Sequence, residues 1–289
     1  MTSCTVRTMI KSTNWLSNFH YSVLGTNEKN RIVFVHGLMA FAANWRKIAN
    51  RLENEYQCLI YDQRGHGRSF KPESGYTPEI FADDLNKITD ELGWDSFHLV
   101  GHSMGGRNVM VFADRFPHKV RTLTIEDMEP DADGKAVDYY REMLEQIPVP
   151  FSTKEEIKKY FTEEFEVNFK SKEPMNVLSS FMQANLEEKA DGPNAQKYDW
   201  RFSKNAVYEI VEEGHRRDRW LEVSNFKMPV LLIRGEFSHV LKQETFEKMQ
   251  MVNPNITGIE ISGTGHWVHY EKHEQFVQEL KQFFQSHSD

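Results

Sequence analysis

Gly101-His102-Ser103-Met104-Gly105-Gly106 sets one serine among small residues, after the apolar run Phe97-His98-Leu99-Val100 and before a helical pattern from Arg107 to Arg115. This is the form of a nucleophile elbow: a serine squeezed into a sharp strand-to-helix turn holds its hydroxyl clear of the sheet, and small residues two positions to either side let neighbouring chain pass close by. The backbone N–H of Met104, at the start of the helix, is then placed to donate to an oxygen that becomes negative during acyl transfer. A serine hydroxyl is a weak nucleophile at neutral pH and needs a base held in the right tautomer by a third group. Of the 12 histidines, His266 is the candidate base, because Gly263-Thr264-Gly265-His266-Trp267 forms a flexible loop after the last apolar run. His269 and His273 read as solvated or capping residues, and His102 as a packing residue beside the serine. A second oxyanion donor is expected after another buried run, and Val35-His36-Gly37-Leu38-Met39 supplies the N–H of Leu38, with His36 bonded to backbone.

Apolar, β-branched runs at Arg31–Val35, Gln57–Tyr61, Phe97–Val100, Arg121–Ile125, Pro229–Ile233 and Thr257–Ile261 would position these groups. Most lack polar alternation, as strands buried on both faces do. Helical patterns lie between several of them: Asn44–Leu52; Thr77-Pro78 opening a helix to Leu92 with Phe81, Leu85, Ile88 and Leu92 on one stripe; and the helix after the elbow. A last helix, from Glu271 to about Ser286, carries Phe276, Val277, Leu280 and Phe284 on one face. Alternation of this kind predicts an α/β fold with a mostly parallel, doubly wound sheet. The stretch 131–225 breaks the rhythm, being rich in charge, Phe, Met and Tyr at helical spacing. It is expected to be a helical cap inserted into one core (1–130 and 226–289), at the carboxyl edge of the sheet where open α/β folds bind ligands. Tyr139, Phe181, Met182, Trp200 and Trp220 are its candidate lining residues.

The 289 residues are 39% hydrophobic and 27% charged, enough for one sizeable core. A net charge of −8 and the lack of a dense Lys/Arg tract argue against a nucleic-acid partner and for a small-molecule one. Cys4 and Cys58 do not suggest a disulfide framework, which fits a reducing compartment. Lys11, Ser12, Thr13 and Asn14 break any early apolar segment, and no run approaches the roughly 20 apolar residues of a membrane span, so a cytoplasmic location without membrane contact is expected. No cluster has metal-ligand spacing, and neither a metal nor an organic cofactor is expected.

Taken together, His36-Gly37, the run Asp62-Gln63-Arg64-Gly65-His66-Gly67-Arg68-Ser69, the elbow, the insertion and the late Gly265-His266 resemble, in this order, the α/β-hydrolase superfamily over almost the entire chain. The chain looks most like its small-capped serine esterase and thioesterase branch. That resemblance implies a catalytic triad with an acid, expected soon after Ile233; there the chain reads Arg234-Gly235-Glu236-Phe237-Ser238-His239, with Ser238 where an Asp would stand. Some relatives carry the acid at the end of the strand after the elbow helix, where this chain has Ile125-Glu126-Asp127-Met128-Glu129. Asp127 is therefore the expected acid, with Glu236 and then Glu126 as alternatives. The implied activity is hydrolysis of carboxylic esters or thioesters of small to medium acyl groups, through Ser103, His266 and Asp127 and the amides of Leu38 and Met104. Two other activities stay open: a carbon–carbon bond hydrolase or SHCHC-synthase-like lyase, in which Arg107 would resemble a carboxylate-holding arginine rather than an exposed helix-start residue, and a ligand sensor with little turnover.

Overall fold

The computed structural model describes residues 15–132, 136–170, 174–190, 192 and 194–287; Cys4 lies outside them. Strands β1 (Tyr21–Leu24), β2 (Arg31–Val35), β3 (Gln57–Tyr61), β4 (Phe97–His102) and β5 (Val120–Glu126) alternate with helices α1 (Arg46–Leu52), α2 (Pro78–Glu91) and α3 (Met104–Arg115). Between β5 and the next core strand come helices α4 (Ala136–Gln146), α5 (Lys154–Lys159), α6 (Phe165–Asn168), α7 (Met175–Ala184), α8 (Lys204–Gly214) and α9 (Trp220–Asn225), with a short pair β6 (Leu186–Glu188) and β7 (Tyr198–Trp200). The chain then returns as β8 (Val230–Gly235), α10 (Gln243–Val252), β9 (Ile256–Ile261), α11 (Val268–Glu271) and α12 (His273–Gln285).

The main sheet has the order β1-β3-β2-β4-β5-β8-β9, with β1 antiparallel at one edge and every other neighbouring pair parallel. Because strand side chains alternate, each central strand feeds two cores. Val33, Val35, Leu99, Leu123 and Leu232 pack on the α2/α3 side with Leu85, Ile88, Val109 and Phe112. Ile32, Phe34, Ile60, Val100 and Ile233 pack on the other side, against Trp45, Ile48 and the Phe276, Val277, Leu280 and Phe284 stripe of α12. Burial on both faces is why these strands show no alternation in sequence. The edge strands differ: β1 is only half-buried along its length, and β9 alternates in part.

A third apolar cluster joins Phe161, Phe165, Met182, Val207 and their neighbours from the 136–214 segment to Leu38 and Met104, which flank Ser103. The sheet switches direction of growth between β2 and β4, so the carboxyl ends of β2, β4, β5 and β8 gather at one edge. Among the described residues, no helix is long and apolar enough to cross a membrane.

Candidate active site

Ser103 sits between β4 and α3 with φ 54 and ψ −124, a backbone that a non-glycine residue adopts only when its surroundings impose it. The flanking glycines show what imposes it. A Cβ on Gly101 would lie 2.5 Å from the Gly105 carbonyl oxygen, and one on Gly105 would lie 2.4 Å from the Val35 and 2.6 Å from the His36 carbonyl oxygens. The turn is closed by the Ser103 N–H donating to the Glu126 carbonyl at 3.0 Å. Met104 is the first residue of α3, so its N–H belongs to the helix's first turn, which has no intrahelical acceptor.

The loop after β2 reaches the same point from the other side. His36 donates from Nδ1 to the Gly37 carbonyl at 2.8 Å and accepts the Gln63 N–H on Nε2 at 3.0 Å. The Met39 N–H donates to His66 Nε2 at 3.1 Å, which pins the turn that carries Leu38. The run from Asp62 to Ser69 is thus a scaffold for the Leu38 loop: Asp62 accepts the N–H groups of Ala42 and Arg68, and Arg64 forms a two-pronged pair with buried Asp84. Burial pushes His36 down to about 4 and His66 down to about 3, so both stay neutral and serve as hydrogen-bonding wedges.

His266 lies on the loop between β9 and α11 and, with Ser103, Leu38 and Gly37, lines one cleft. Its Nδ1 is 2.7 Å from Asp127 Oδ2. Asp127 follows directly on β5 with φ 49 and is fully buried. Two more donors reach its carboxylate: Ser238 Oγ–H to Oδ2 at 2.5 Å and the Gly235 N–H to Oδ1 at 3.4 Å. Burial pushes Asp127 up and His266 down to about 4. The resting imidazole is neutral, and with its proton on Nδ1 it donates to Asp127 beside the Ser238 hydroxyl and the Gly235 N–H.

Glu236, the alternative acid, is exposed and accepts the Gly263 N–H at 2.8 Å, supporting the turn before His266. Glu126 turns to a different histidine. It accepts the His269 N–H at 2.8 Å, and its two carboxylate oxygens each lie 2.9 Å from His269 Nδ1. His269 is therefore a buried partner of Glu126, contrary to its reading as solvated or capping. Arg107 is likewise buried and not exposed: it donates to the Glu129 and Asp131 carbonyls at 3.1 and 3.0 Å, while Nη1 has no hydrogen-bond partner among the described residues. Tyr139 and Phe181 line the cleft with His266, whereas Met182 is core, Trp200 stacks on Phe202, and Trp220 donates to Asp131.

A second cleft also reaches Ser103 and shares Leu38 and Tyr140 with the first; it is lined by Met104, Arg107, Asn108, Met128, Ile210 and Val211 among others, and it does not include His266. Ligand-capable atoms of His102, Glu126 and His269 lie within 4.8 Å of one another. Their hydrogen bonds already satisfy the carboxylate and one nitrogen of each ring, so the cluster reads as a polar network in place of a metal centre.

A family model described as alpha/beta hydrolase fold matches residues 30–273. The 2-(acetamidomethylene)succinate hydrolase of Mesorhizobium japonicum is 25% identical over 240 residues, 82% of this chain and 81% of that protein. Esterase YbfF of Escherichia coli is 24% identical over 264 residues, 87% of this chain and 92% of its own. Among solved structures, a marine microorganism esterase matches with a TM-score of 0.78 at 24% identity, over 92% of this chain and 98% of that one, a likeness of fold.

Proposed function

The chain belongs to the alpha/beta hydrolase family, and on that premise we propose that it is a serine hydrolase of carboxylic esters or thioesters. The observation that carries this reading is the 2.7 Å contact of His266 with Asp127, in a cleft that His266 shares with a serine held on a strained elbow. Ser103 Oγ attacks the carbonyl carbon as His266 Nε2 takes its proton, and Asp127 stabilises the imidazolium that forms. The N–H groups of Leu38 and Met104 receive the oxyanion. Collapse expels the alcohol or thiol, protonated by His266; water then attacks the acyl-serine by the same path and frees the acid.

This assigns the two clefts. The leaving group must take its proton from His266, so the cleft containing His266 holds the leaving group, and the cleft on the Met104 side holds the acyl chain. The acyl cleft is walled by apolar side chains from α8, which suits a small to medium chain. The segment 131–225 acts as a cap over the site. Nη1 of Arg107, which has no hydrogen-bond partner among the described residues, favours a second reading, in which the acyl part carries a carboxylate, as the substrate named for the Mesorhizobium relative does.

Steady-state hydrolysis of p-nitrophenyl esters from acetate to decanoate, with the hemisuccinate added, tests both readings. Turnover should peak at one chain length and fall by about 10⁴-fold or more in Ser103→Ala. Turnover surviving in Ser103→Ala would overturn the serine mechanism, and a hemisuccinate preferred over butyrate would favour the carboxylate reading.

A further inference from the structure

Glu126 and Asp127 are consecutive, yet they serve two different histidines: Asp127 meets His266, on the loop after β9, and Glu126 meets His269, three residues further on in α11. The same Glu126 holds the other side of the site, because its carbonyl accepts the Ser103 N–H at 3.0 Å. His102, the neighbour of Ser103, spans the gap between the pairs. Its Nε2 lies 2.9 Å from the His266 carbonyl oxygen, so it must donate there, and its ring contacts both His266 and His269 with centroids 4.7 and 4.8 Å apart. His269 is backed by Trp45, stacked at 4.3 Å. Glu126 is wholly inaccessible to water, and His102 and His269 nearly so.

We propose that Glu126, His269 and His102 form a second buried histidine–carboxylate network, whose members are positioning residues for Ser103 and His266. The proposal rests on the serine-hydrolase reading and deepens it. Two features separate this network from ordinary core polar bonding. First, it ties the nucleophile elbow and the loop of the base to one residue, so the distance between Ser103 and His266 depends on Glu126 from both ends. Second, it places a fixed negative charge beside the reacting imidazole. Burial opposes that charge, but His269 and His102 hold the Glu126 carboxyl below the usual carboxylate range, and Glu126 in turn favours the protonated form of His266. The groups facing His266 are Asp127 and Glu126 from the end of β5, His102 from β4 and His269 from α11, with Arg234 of β8 acting on Asp127 and His239 on the cleft wall.

The test uses Glu126→Gln, which keeps the shape and an accepting oxygen for His269 but removes the charge. His266 must be unprotonated to act as base, so the acid limb of kcat/KM reports its protonation. Without the Glu126 charge the imidazolium is less stable, and the limb should move to lower pH by about one unit. Initial rates read within seconds of a pH jump keep slow acid unfolding out of the measurement. At neutral pH, kcat should fall about tenfold with KM nearly unchanged, since no substrate contact is lost. A limb that stays in place overturns the proposal whatever happens to kcat. Turnover surviving in Ser103→Ala is a separate failure, that of the mechanism beneath it. Should Glu126→Gln not fold, proton NMR of the unaltered protein decides: two imidazole N–H signals at lower field than those of the carbonyl-bonded His36 and His102 are expected, from the carboxylate-bonded His266 and His269, and a single one overturns the proposal.

Discussion

The two carboxylates at the end of β5 are alike in burial and opposite in behaviour. Asp127 gathers donors from separate segments, His266 Nδ1, Ser238 Oγ and the Gly235 N–H, and burial still pushes its carboxyl up. Glu126 spends both oxygens on one residue, His269, and is held below the ordinary value. The left-handed turn at Asp127 explains how neighbours in sequence can point to different histidines: at φ 49 the chain leaves the strand, and its next side chain no longer follows the strand's alternation. The contrast teaches that a buried carboxylate is tuned less by its depth than by what faces it. A carboxylate that keeps its charge can support a pair whose charge must change.

The largest effect is expected at Asp127. Asp127→Asn keeps the size but offers His266 the wrong partner, and should cost about 10⁴-fold in kcat, measured on the best p-nitrophenyl ester. The contrast with the roughly tenfold loss expected in Glu126→Gln is then about three decades; equal losses would mean that the two pairs do the same work. Ser238→Ala sharpens the picture further. It removes the 2.5 Å bond to Asp127 Oδ2 and leaves the Val240 and Leu241 N–H groups without the hydroxyl they share. A loss of about 1.5–3 kcal/mol in transition-state stabilisation, roughly ten- to a hundredfold in kcat/KM, is expected. An unchanged rate would show that Asp127 needs only His266.

The smallest effect per residue concerns stability. His36, His66, His98, His102 and His266 are all held below their ordinary value, by burial first. The unfolded chain takes protons on these residues near 6.5 while the folded chain refuses them. Their contribution is complete above that pH and is lost as pH falls toward about 4 for His36 and His266 and about 3 for His66 and His98. Each should remove up to about 1.4 kcal/mol per pH unit below 6.5. Calorimetry between pH 7.5 and 5 should therefore show a falling Tm; a flat one would mean that the folded protein accepts protons on these rings, and the resting imidazole of His266 would lose its neutral state.

Most of the sheet was legible because its strands are buried on both faces and its helices carry clear stripes. β1 was not, since Tyr21–Leu24 is half-buried throughout and gives no period, and the β6/β7 pair was lost among helical spacings. Of the site, Ser103 and His266 stood out by their glycines. His269 did not, because a histidine in a helical stretch looks the same whether water or a carboxylate receives it.

Local spacing by itself determined the elbow, the late Gly-His loop and the strand–helix rhythm, since a tight turn and an amphipathic helix are constrained by residues a few positions apart. Tertiary structure decided which carboxylate meets which histidine. β5 and β8 are parallel neighbours whose ends open on the same loop, so an acid after either strand is a candidate from sequence alone. Only the packed sheet puts Asp127 on His266, Ser238 behind it, Glu236 out in solvent and Glu126 on His269.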